Sequence, residues 1–118
     1  SAPSIQILSA NTQTQSIKFG DPEDGDVGKI NYSHATNHMA LFTDGTEAIC
    51  IDSSQNVGIG TSPTEKLDID GDSIRLRQSQ TPASASATGT QGQIAWDANY
   101  MYVCTATDTW KRAALSTW

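Results

Sequence analysis

One short pattern occurs twice in this chain. The first copy runs Gly28-Lys29-Ile30-Asn31-Tyr32, then Met39-Ala40-Leu41-Phe42-Thr43-Asp44-Gly45-Thr46-Glu47-Ala48. The second runs Gly92-Gln93-Ile94-Ala95-Trp96, then Met101-Tyr102-Val103-Cys104-Thr105, followed by Thr107-Asp108-Thr109-Trp110-Lys111-Arg112-Ala113. Each copy holds a glycine, two apolar alternations and a polar turn before a last strand. Ser16-Ile17-Lys18-Phe19 and Ser73-Ile74-Arg75-Leu76 introduce the two copies alike. Repetition of a short β unit directs the chain toward a modular, elongated β protein and away from a single enzyme fold.

Size sharpens that expectation. At 118 residues, with 36% hydrophobic and 17% charged residues, the chain is one compact domain or two small β modules. A chain this small and this polar buries little surface alone, and oligomerisation is a common remedy. The net charge of −6 is uneven. Residues 21–72 carry most of the acids with only Lys29 and Lys66, whereas Arg75, Arg77, Lys111 and Arg112 lie beyond them. An acidic chain without a basic stripe argues against nucleic-acid binding. No apolar run approaches the roughly 20 residues that span a bilayer, so no membrane insertion is expected. The leading Ser1-Ala2-Pro3-Ser4 has no signal-peptide character, and a longer natural protein is expected. Cys50 and Cys104 lack metal-motif spacing and read as buried small hydrophobes.

Period-two alternation predicts strands over residues 4–9, 16–19, 29–33, 38–43, 46–51, 57–60, 66–70 and 74–77. Asp44-Gly45 predicts a two-residue hairpin turn. Residues 78–90 are a polar, low-complexity stretch that reads as a linker or surface loop. Residues 91–118 concentrate the aromatics Trp96, Tyr100, Tyr102, Trp110 and Trp118 and read as a β tip, while residues 1–77 form the first β module. No long amphipathic helix is expected.

The run Asn56-Val57-Gly58-Ile59-Gly60-Thr61-Ser62-Pro63-Thr64-Glu65-Lys66-Leu67-Asp68-Ile69 resembles a segment of bacteriophage tail fibres and related trimeric fibre proteins. The ending from Gly92 to Trp118 is similar to the C-terminal tips of phage appendage proteins. The resemblance implies an all-β, intertwined, elongated homotrimer of short antiparallel strands and hairpins. It would be carried on a virion appendage, assembled in the host cytoplasm beside other virion proteins, and used to attach to a host-surface glycan or other receptor. Physics agrees on the oligomer. Three chains around an axis can pool Val57, Ile59, Leu67 and Ile69 as a shared core, and Gly58 and Gly60 would let their backbones come close.

Candidate chemistry is sparse. Asp21 to Asp26 and Asp68 to Asp72 alternate carboxylates as calcium loops do, but neither matches the twelve-residue ligand pattern, so they read as solvated turn acids. His34 and His38 are four apart outside any helix and read as hydrogen-bonded surface histidines. No metal or cofactor site is expected. No nucleophile elbow, phosphate loop or HExxH is present, and no enzyme is expected. Loops and aromatics favour the tip for recognition, which names Asn99, Tyr100, Trp110 and Trp118 as receptor contacts. Packing inside the trimer is the competing role for Trp110 and Trp118. A structural spacer or trimerisation unit is the alternative function, and a glycan-cleaving tailspike is a third.

Overall fold

A computed structural model describes residues 2–118. The chain divides into two compact units, Ser1–Ser73 and Ile74–Trp118. Both are built from strands, and the described residues contain no helix. None is therefore long and apolar enough to cross a membrane.

The first unit is a six-stranded sheet in chain order: β1 (Thr14–Phe19), β2 (Gly28–Ser33), β3 (His38–Thr43), β4 (Thr46–Ile51), β5 (Val57–Ile59) and β6 (Leu67–Ile69). The first five strands form an antiparallel meander. The Asp44-Gly45 turn takes positive φ at both residues, 50° and 68°, and so matches the twist of the strands it joins. The last pairing, β5 with β6, is parallel, which the antiparallel expectation did not contain. The connection between them folds over the sheet at Gly58. A Cβ there would lie 2.0 Å from the Thr61 carbonyl oxygen, so only glycine fits. The close approach at Gly58 is made within one chain.

Register gives this sheet two unlike faces, because residues paired across strands point to the same side. Ile17, Ile30, Leu41, Ile49, Ile59 and Ile69 are successive partners across all six strands. A second row on the same face carries Gln15, Tyr32, Met39, Ile51, Val57 and Leu67. The opposite face carries Ser16, Asn31, Ala40, Cys50, Gly58 and Asp68. Among the described residues of this unit only Ala40, Cys50 and Gly58 are buried, all on the small-residue face. The apolar face stays partly exposed in the single chain, with Leu41 and Ile59 40% and 39% exposed.

The second unit is a three-stranded antiparallel sheet of β7 (Ile94–Trp96), β8 (Tyr100–Ala106) and β9 (Thr109–Ala114). Its pairs Ile94–Val103, Ala95–Tyr102 and Trp96–Met101 repeat Ile30–Leu41, Asn31–Ala40 and Tyr32–Met39 of the first. The twofold sequence pattern therefore folds twice into the same register. Ala95, Tyr102, Cys104 and Trp110 form a core on one face, with Ala87 and Tyr100 packed against it. Residues 85–89 are fastened over that face. Trp110 donates its backbone N–H to Ala85 (2.8 Å) and its indole N–H to Ala87 (3.2 Å). Gly89 and Asp108 exchange two further bonds, at 2.9 and 3.0 Å. On the other face Ile94, Met101 and Val103 stay exposed, as their counterparts Ile30, Met39 and Leu41 do.

Two expected strands are absent. Residues 4–9 and 74–77 alternate correctly but pair with no neighbour, and Ile5, Leu8 and Ile74 are exposed. Alternation shows that a segment suits a sheet; a strand also needs a free edge to bond.

Candidate functional site

The second unit holds a concavity. Asp97 closes the β7–β8 turn. Its Oδ1 accepts the Asn99 and Tyr100 backbone N–H groups at 2.8 and 2.9 Å. Its Oδ2 accepts the Tyr102 hydroxyl at 2.5 Å and the Thr81 hydroxyl at 2.7 Å. The Tyr102 bond, then the Thr81 bond and the turn amides, hold the Asp97 carboxyl down at about 2. The same bond to Asp97 is the main reason the Tyr102 phenol is raised. Thr81 thus ties the polar stretch to the sheet, and the indole N–H of Trp96 ties down the segment before it by donating to the Leu76 carbonyl at 2.9 Å.

Between that stretch and the sheet lies a cleft of about 290 Å³, with Pro82 to Ala85 on one side and Tyr102, Trp110, Lys111 and Arg112 on the other. Its lining carries two cations, hydroxyl and backbone groups, and no carboxylate. Arg112 also stacks on the Tyr100 ring, 4.0 Å from its centre. An opening with this lining suits a hydroxyl-rich or anionic group rather than a cation.

The four tip residues named from sequence take different places. Asn99 is exposed in the turn, and its carbonyl accepts the Leu115 N–H at 2.8 Å. Tyr100 follows it, half-buried under Arg112. Trp110 is 6% exposed and contributes to the floor of the cleft. Trp118 is fully exposed. Sequence reasoning missed Lys111, Arg112 and the Pro82–Ala85 wall; the wall lies in a stretch without periodicity, whose only signal was its Pro and Gly punctuation.

Val57, Ile59, Leu67 and Ile69, named as a shared core, all lie on the apolar face of the first sheet. The acidic turns are fastened by their own side chains. Asp21 Oδ1 accepts from the Glu23 and Asp24 amides at 3.0 and 2.8 Å, and Asp68 Oδ2 from the Thr64 amide and hydroxyl at 2.9 Å. Asp52 closes the β4–β5 turn through the Ser54 and Asn56 amides. Asp68 and Asp52 are held below the usual carboxylate range chiefly by the backbone amides of Thr64 and Asn56. His34 and His38 have separate partners, Gln15 and Glu47. Both cysteines are free and buried.

Comparison with known proteins gives one informative similarity. Over 31 residues, 26% of this chain, the sequence is 55% identical to a capsule K30/K69-specific depolymerase of Klebsiella phage K64-1. The match spans 4% of that protein's length. No family model matches the chain. No solved structure matches it. The similarity is to a phage protein, in line with the resemblance read from the sequence, and it does not separate a fibre from a spike. It corrects the expectation that no enzyme is involved, because the similar protein is a depolymerase.

Proposed function

We propose that this chain is a module of a phage tail-associated protein that engages the capsular polysaccharide of its bacterial host, and that the whole protein depolymerises it. The observation that carries this reading is the 31-residue, 55% identity to a capsule depolymerase. The protein would be borne on the virion, after assembly in the host cytoplasm with other virion proteins. Host attachment, as the fibre resemblance implies, would accompany the cleavage.

Two structural features support the reading. The cleft of the second unit offers cations and hydroxyl groups to the hydroxyls and acidic substituents of a saccharide. The first sheet leaves Ile17, Ile30, Leu41, Ile49 and Ile59, one row across five strands, partly exposed, with Ile7 beside its β1–β2 end. Such a face is covered in soluble β proteins by a second layer, and a further copy of the same chain supplies one. The homotrimer implied by the resemblance to fibre proteins covers three such faces at once.

The test uses purified capsular polysaccharides, K30 and K69 first. Retention of the chain on immobilised polysaccharide, and a fall in polymer size when the polysaccharide is incubated with the longer protein, are expected. Neither retention nor shortening on any capsular type would overturn the proposal.

A further inference from the structure

Three side chains with metal-binding atoms converge on the small-residue face of the first sheet. His38 Nε2 lies 3.4 Å from Glu47 Oε2, and with the Cys50 thiol the donor atoms all fall within 4.8 Å of one another. Ala40 pairs with Cys50 in the ladder and is buried on the same face. Its small side chain leaves room for His38 and Glu47 to reach toward each other along the strands.

The convergence depends on a β-bulge. Glu47 and Cys50 are three residues apart, which in a regular strand puts them on opposite faces. The register shifts between Leu41 and Phe42, whose partners are Ile49 and Glu47, so Ala48 is the extra residue. The bulge turns Glu47 onto the face of Cys50 and His38. Re-aiming a side chain at a site is a recurrent use of bulges.

We infer that His38, Glu47 and Cys50 form a binding site for a zinc-type divalent transition-metal ion, with solvent completing its coordination. An imidazole nitrogen, a carboxylate oxygen and a thiolate sulfur are all zinc donors, and three protein ligands plus one open position is an established arrangement. Bond lengths of about 2.0–2.3 Å put donors in a tetrahedral site on the order of 3.5 Å apart. His38 and Glu47 already meet that spacing, and the Cys50 sulfur lies within 4.8 Å of both. The separation of His38 from Glu47 is long for a charge-assisted hydrogen bond, so the two are not locked onto each other. The Cys50 thiol donates weakly to the Thr61 carbonyl at 3.4 Å, and burial, with Glu47 beside it, pushes the thiol up. A bound cation displaces that proton and neutralises both anionic ligands. The His38 and Glu47 side chains keep 29% and 36% of their exposure, which leaves an entry path from solvent.

The test is a cobalt(II) titration of the whole chain, followed by absorption, with zinc added afterwards. Saturation at one ion per chain is expected, with a sulfur-to-cobalt charge-transfer band that zinc abolishes. His38→Ala and Glu47→Gln, both at partly exposed positions, should each weaken binding by about tenfold or more. His34→Ala should leave it unchanged. Circular dichroism confirms the fold of each variant. Absence of saturable binding, a spectrum without the sulfur band, or an equal loss in His34→Ala would overturn the inference.

Discussion

The indole of Trp110 lies so close to Gly89 that a Cβ built on the glycine would sit 2.6 Å from Nε1. This contact fixes the polar loop onto the second sheet, since the same indole N–H is bonded to Ala87. Gly89→Ala should therefore push the loop off or shift the ring, at a cost of about 1–3 kcal/mol. Urea unfolding followed by tryptophan fluorescence measures it. Gly25→Ala, where a Cβ meets nothing within 4 Å, is the control and should be close to neutral. Equal stability of the two variants would contradict the packing described.

Asp97 makes an acid-dependent prediction. Its carboxyl lies at about 2 in the fold, against an ordinary value of 3.8. A depressed value means that the ionised form stabilises the fold. That stabilisation is complete above about pH 4 and is lost as the pH falls toward 2. Thermal unfolding across that range should show the parent losing stability, and Asp97→Asn should lose less because it has no such proton to take up. Asp52 and Asp68, also lowered, leave a residual slope in the variant. Identical pH profiles for parent and variant would contradict the role of Asp97.

The apolar face predicts how copies meet. Leu41 and Ile59 sit in its central row and are partly exposed in the single chain. Leu41→Asp or Ile59→Asp should leave the sheet formed but abolish self-association, because a charge without a partner cannot be buried in an interface at acceptable cost. Light scattering at low micromolar concentration should report three chains for the parent and one for either variant. A parent that is folded and monomeric there would contradict the interface.

The repeat was the legible part of the fold. Glycine, alternation and the Asp44-Gly45 turn are local signals, and they located β2 to β4 and β7 to β9. Residues 4–9 and 74–77 carry the same alternation without a pairing edge, and sequence cannot distinguish the two cases. The parallel pairing of β6 was hidden as well, because register with a distant strand is not a local property. Site residues were harder. The single extra residue at Ala48 brings Glu47 to Cys50, and a period-two reading places them on opposite faces. Trp110 shows the complementary limit: an aromatic at a tip reads equally as a contact or as core, and here the loop over it puts it in the core.

The most direct test of the proposed function is co-sedimentation of the chain with capsulated cells and with an otherwise identical capsule-free strain. Free and bound protein are quantified across a concentration series. The account predicts saturable binding to the capsulated cells alone, competed by their purified polysaccharide and weakened by Arg112→Ala. Equal binding to both strains, or binding to neither, would contradict it.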